Sequence, residues 1–132
     1  PALPDAARTI APTVLGDVDP AWPIAREELF APVVSVLAAD GLDEAIELVN
    51  DSPYGLTASV FTGALDAALA FARRADAGSV HVNLPTAGSE FQAPFGGRRA
   101  SGSGHRELGR ESLDFYGDLK TIAIRSRTEV VP

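Results

Sequence analysis

The chain has 132 residues, a net charge of −7 at neutral pH and no cysteine. That length suits one domain around one continuous core, and the acidic balance works against a nucleic-acid partner, whose binding draws on clustered Lys and Arg. The missing thiol excludes disulfides, thiolate metal sites and a cysteine nucleophile from this polypeptide.

Residues 1–23 hold five of the ten prolines and read as extended or turning chain that lies on something else. The run PVVSVL at 32–37 is β-branched and short, which predicts a buried strand ended by Asp40-Gly41. Leu42, Ala45, Ile46 and Val49 then fall at i, i+3, i+4 and i+7, predicting a helix with Asp40 as N-cap and a stop at Asn50-Asp51-Ser52-Pro53. LTASVFT at 56–62 alternates as a second strand. Thr62-Gly63 opens a second helix with a predicted inner face of Leu65, Ala68, Leu69 and Ala72, Arg73 and Arg74 near its negative end and Gly78 as terminator. Ser79-Val80-His81-Val82 is a third short strand. This alternation predicts an α/β fold, a mostly parallel sheet of βαβ units covered on both faces.

Past that strand comes FQAPFGGRRASGSGHRELG at 91–109, five glycines mixed with Phe91, Phe95 and Leu108. Glycine at this density suits backbone that lies closely against another group, and apolar side chains inside the run argue against a free linker. Its place beyond the carboxyl end of a strand is where open α/β sheets put their ligands. Residues 107–116 predict a helix interrupted by Gly109, and KTIAIR at 120–125 alternates as a last strand, an edge available to another subunit. His81 and His105 are far apart in sequence and read as structural rather than metal-binding. No apolar run approaches a membrane span and PALPDAARTIAP lacks the parts of a signal peptide, so the expectation is a cytoplasmic chain without membrane or nucleic-acid partners.

Five segments in this order resemble the carboxyl-terminal part of the aldehyde dehydrogenase superfamily. They are Glu27-Glu28-Leu29-Phe30-Ala31-Pro32-Val33; Asn50 with Tyr54-Gly55-Leu56-Thr57-Ala58-Ser59-Val60-Phe61-Thr62; Ala77-Gly78-Ser79-Val80-His81-Val82-Asn83; Pro94-Phe95-Gly96-Gly97 with Ser101-Gly102-Ser103-Gly104; and Lys120-Thr121. The resemblance implies an extended proline-rich arm over 1–27, a partial catalytic domain over 28–116, and an oligomerisation strand and tail over 117–132. It implies that Glu28 hydrogen-bonds a ribose of a nicotinamide cofactor, NAD or NADP, that Phe30 lies beside the nicotinamide ring, and that Phe95 stands near the mouth of the aldehyde tunnel. On residue type alone Glu28 also reads as a surface carboxylate, Phe30 as core and Phe95 as a loop anchor. The stretches 83–88 and 103–109 are most similar to members handling oxo-acid semialdehydes.

In that family a cysteine thiolate attacks the aldehyde, hydride passes to NAD(P), and a glutamate-activated water hydrolyses the thioester. With no cysteine here, the expectation is no turnover by this chain alone. Neither Ser89 nor Ser101 has an adjacent base, and Asn83 has no claim to an oxyanion role from its residue type. Two readings stand: a carboxyl-terminal portion of an NAD(P)-dependent aldehyde dehydrogenase, or a stand-alone binding or oligomerisation module of that fold. Either predicts a partner, another copy or an amino-terminal aldehyde dehydrogenase half, because uncovered apolar surface seeks one.

Overall fold

The computed structural model describes residues 9–88 and 90–125. The first eight residues of the expected arm, Ser89, and residues 126–132 of the expected tail lie outside the described residues. In chain order the elements are β1 (Thr13–Leu15), α1 (Pro23–Arg26), β2 (Val33–Ser35), α2 (Leu42–Asn50), β3 (Tyr54–Gly55), β4 (Thr57–Val60), α3 (Leu65–Arg74), β5 (Ser79–Val82), β6 (Arg98–Arg99) and α4 (Ser112–Tyr116). They make an α/β fold with two parallel pairs, β1 with β2 and β4 with β5, and one antiparallel pair, β3 with β6. The expected parallel pairing is present, as separate two-stranded ladders rather than one continuous sheet.

The amino-terminal region is more ordered than its prolines predict. Thr13 pairs with Val33 and Leu15 with Ser35, so this stretch supplies a strand and α1 is the crossover to β2. Pro23 opens α1, where its missing N–H is no loss. At α2 the expected side-chain cap by Asp40 does not form. Gly41 is the N-cap, and Glu44 in the first turn reaches back to accept the Asp40 backbone N–H.

The core is small and lies between α2, α3 and the β4–β5 ladder. Ile46, Ala58, Phe71, Ala75 and Ala77 are buried, with Leu42, Val60 and Val80 packed against them. Alternation along the strands sends Ala58, Val60 and Val80 to this side and the paired Thr57, Ser59, Ser79 and His81 to the other. The ladder is therefore apolar toward its helices and polar on its other face, where a sheet covered on both faces had been expected.

The inner face of α3 also differs from the periodicity. Ala68 and Phe71 are buried, while Leu65 is 72% exposed and Leu69 44% exposed. The alanine-rich helix carries two apolar stripes, and the bulky Phe71 fills the core better than two leucines on the next stripe. Nor does 120–125 form a strand: it runs unpaired, with Ile122 and Ile124 exposed. A strand needs a ladder partner, and none of the described residues supplies one. The predicted helix over 107–116 is reduced to α4, because Gly109 turns the chain at φ +71.

The glycine-rich stretch is a shaped loop held by backbone contact. A Cβ on Gly78 would lie 1.8 Å from the Gly96 carbonyl oxygen, and one on Gly97 would lie 2.0 Å from that of Ser101. Gly78 thus serves this contact rather than ending α3, whose C-cap is Ala75. Of the apolar residues in the stretch, Phe95 and Leu108 are half-buried, but Phe91 is exposed. Gly78→Ala or Gly97→Ala is expected to destabilise the chain by about 1–3 kcal/mol through forced backbone shifts. Gly63→Ala, with open space around it, should be neutral or slightly stabilising, as urea denaturation midpoints will show.

Candidate functional site

A cleft of about 500 Å³ opens between the end of α1 and the β3–β6 ladder, and Glu28, Tyr54, Thr57, Arg99 and Ser101 line it. One wall comes from the chain leaving α1, where Glu27 is already extended at ψ 145 and releases Glu28 from the helix. That wall is fixed from behind by Arg26, which donates to the Asp51 carboxylate at 2.7 Å and to the Asp51 carbonyl at 3.0 Å. The hydrogen bond from Arg26 holds the Asp51 carboxyl below its ordinary range, and the guanidinium is raised in turn.

The opposite wall belongs to the glycine loop. Ala100 N–H donates to the Pro53 carbonyl at 3.1 Å, and Gly55 N–H donates to Ser101 Oγ at 3.1 Å. Arg99 sits in the left-handed region at φ 51. It donates through Nη2 to the Asp76 carbonyl at 2.8 Å and through Nη1 to the Asn50 carbonyl. Asp76 also accepts from Arg98 at 2.7 Å, and chiefly that bond holds its carboxyl below the usual value. Asn50, read from the sequence as part of a helix stop and of a family-like segment, ties these parts together. Its Nδ2 donates to the Arg74 carbonyl at 2.9 Å, and its Oδ1 accepts the Asp76 N–H at 2.7 Å.

Glu28 is exposed and its carboxylate has no partner among the described residues. Both arginines of the cleft are engaged by acids or carbonyls, and the Glu28 carboxylate is an acceptor suited to hydroxyl or N–H donors.

Phe30 lines an adjoining depression of about 430 Å³, and Glu28 stands on the ridge shared by the two. Phe30 is 91% exposed and its backbone is left-handed at φ 47, so the residue lies outside the core formed by the described residues. A bulky residue held there costs of order 1–3 kcal/mol, a kind of strain that clusters at ligand sites. Phe95 lines neither depression; it is half-buried and its carbonyl accepts the Glu107 N–H at 2.8 Å. The structure thus brings Glu28 together with the glycine loop and sets Phe30 beside it, while Phe95 stands apart.

Arg99, Ser101 and Tyr54 were not singled out as site residues. The paired arginines inside a glycine run were the available signal, but their partners are distant in sequence. Asn83 has a structural role: at φ 56 its side chain accepts the Thr62 N–H at 2.9 Å and donates to the Thr62 carbonyl at 3.0 Å, joining the ends of β4 and β5. His81 is likewise engaged, with Nδ1 donating to the Pro85 carbonyl at 2.8 Å and Nε2 2.9 Å from Ser79 Oγ. Among the described residues no group of three His, Cys, Asp or Glu could hold a metal, and no helix is long and apolar enough to cross a membrane.

Residues 2–122 match the model of the aldehyde dehydrogenase family. The chain is 39% identical to an alpha-ketoglutaric semialdehyde dehydrogenase of Bacillus subtilis (strain 168), over 88% of this chain and 24% of that relative. It is 45% identical to retinaldehyde dehydrogenase 3 of Rattus norvegicus, over 94% of this chain and 24% of that one. Among solved structures, an NAD-dependent aldehyde dehydrogenase from Sinorhizobium meliloti is similar with a TM-score of 0.78 and 43% identity, covering 83% of this chain and 22% of the other. An indole-3-acetaldehyde dehydrogenase in complex with NAD+ is similar with a TM-score of 0.76 and 46% identity over 83% of this chain and 22% of that one. The chain spans about a quarter of the length of the curated relatives it matches.

Asp76 sets an expected pH response. Its folded-state value lies below the unfolded one, so its contact with Arg98 supports the loop above roughly pH 4 and that support is lost as pH falls through the folded value. Backbone amide shifts of Gly55 and Ser101, followed by NMR from pH 6 to pH 2, should move with Asp76. In Asp76→Asn they should start near their acid positions and no longer titrate with that group.

Proposed function

This chain belongs to the aldehyde dehydrogenase family, and from that premise we propose that it forms one wall of an NAD(P)-dependent aldehyde-oxidising site whose other wall is separate polypeptide. The observation that carries this reading is the shared cleft: Glu28 and the glycine-loop residues Arg99 and Ser101 line the same depression.

The residues present fit a nicotinamide cofactor. Glu28 has a carboxylate without a partner among the described residues, in a concave site, able to accept from two neighbouring ribose hydroxyls. Phe30 offers an exposed flat apolar face on the adjoining ridge, suited to restricting a mobile ring. When bound, the cofactor supplies a hydride acceptor. Glu28 and Phe30 would orient it. Phe95 is proposed as an aldehyde contact near the tunnel mouth, outside the cofactor cleft. The aldehyde class we favour is an oxo-acid semialdehyde, after the 83–88 and 103–109 stretches and the alpha-ketoglutaric semialdehyde dehydrogenase among the relatives.

No cysteine exists in the chain, so the thiol that attacks the aldehyde would come from the same polypeptide that completes the pocket. The segment 120–125, extended in sequence pattern and unpaired here, is proposed to add to a sheet edge of a neighbouring subunit. A stand-alone module of this fold would keep that pairing without catalysis.

Two measurements test the proposal. The pure 132-residue chain, given NAD+ or NADP+ and a panel of short aldehydes and semialdehydes, is expected to form no reduced cofactor; a rate proportional to its concentration would refute the assignment of the thiol elsewhere. Co-expressed with the amino-terminal three quarters of a family relative, it should form an active complex. There Glu28→Gln should lower turnover about 10- to 100-fold, the worth of a hydrogen bond to a charged group. Unchanged turnover in that variant would remove Glu28 from the cofactor site.

A further inference from the structure

We propose that the outward stripe of α3 is a self-association surface on which a second copy of this chain docks antiparallel, with Asp66 of each copy against Arg73 of the other. This surface is independent of the cofactor reading and separate from the 120–125 segment.

Leu65, Leu69 and Ala72 repeat at i, i+4 and i+7 and are all exposed, forming an apolar strip along the helix that nothing among the described residues covers. Asp66 and Arg73 flank the strip on one side, two turns apart. Both are exposed, and among the described residues neither forms an ion pair; the neighbouring Arg74 is the one taken up, by Asp43. Two turns is about 10 Å along the axis, too far for Asp66 and Arg73 to meet on their own helix.

Their spacing instead fits a two-fold partner. Positions 66 and 73 are equidistant from the midpoint between Leu69 and Ala70, so an antiparallel copy centred there meets each charge with its opposite on the same flank. A parallel copy would keep the two Asp66 at one level and the two Arg73 at another, so neither charge would meet its opposite. The small Ala72 allows the backbones to approach, and Leu69 of one copy packs beside Leu69 of the other near the axis. A surface that complements itself in both charge and apolarity fits a second copy better than an unrelated protein. Ten residues of helix bury little area, so the contact is weak and salt-sensitive.

The absence of native cysteine makes the test direct. Leu69→Cys in the full chain, oxidised mildly at low salt, is expected to give a disulfide-linked dimer on a non-reducing gel, because facing Cα atoms near the axis fall within bridging range. Adding Asp66→Arg should lower the cross-linked fraction roughly fivefold or more, as two attractions become two repulsions. Adding Arg73→Asp to that variant should restore it, and the restoration also shows that the reversed chain is folded. Ile122→Cys, in the terminal segment, reports any other pairing separately. No cross-link at Leu69→Cys, a cross-link indifferent to Asp66→Arg, or a failure of the double reversal to recover it while circular dichroism stays native would each overturn the proposal.

Discussion

Backbone lying on backbone at Gly78 and Gly96 is the contact on which the rest of this structure depends. Any side chain at Gly78 would occupy the space of the Gly96 carbonyl, and the same loop closes on itself where Gly97 meets Ser101. That closeness lets the chain after β5 fold back onto β3 as β6. Without the return, Arg99 and Ser101 would not reach the far side of the cleft from Glu28. The site is thus a consequence of missing β-carbons before it is a consequence of any charged group.

Charge then sets what the cleft can accept. Arg26 is held by Asp51, and Arg99 by Asp76 and Asn50, so the two cations nearest the cleft act as struts between secondary-structure elements. Among the described residues Glu28 is left without a partner. Its carboxylate is the acceptor that the cleft wall presents to hydroxyl or N–H donors. Asn50 links the ends of α2 and α3 to the same network, which explains why a residue that stops one helix bears on a cleft wall formed by a loop far along the chain.

Much of the apolar surface of the described residues lies outside the core. Phe30, Phe61, Leu119 and Ile124 are largely in solvent while the buried core is confined to a handful of residues around Ile46 and Phe71. These exposed groups lie on different elements: the ridge beside the cleft, the approach to α3, and the terminal segment. No single repacking within the chain would cover them all, whereas neighbours on several sides would.

Sequence by itself determined β2, α2, β4, α3 and β5 and the family, but not β1, α1, β3 or β6. The period of α2, the alternation of β4 and β5, and the density of glycine at 91–109 are properties of short windows, and hydrophobic periodicity acts over such windows. Glu28 and Phe30 came from a motif match, and a motif names residues without saying what they face. Only the tertiary structure decided that Phe71 and not Leu65 or Leu69 enters the core, since two apolar stripes on one helix are equivalent until something packs on one of them. It alone set Phe95 outside the clefts that Glu28 and Phe30 line, turned Gly78 from a helix stop into a contact point, and left 120–125 without a ladder. Each of these outcomes depends on groups far apart in sequence coming within a few ångströms, and a linear pattern carries no information about that distance.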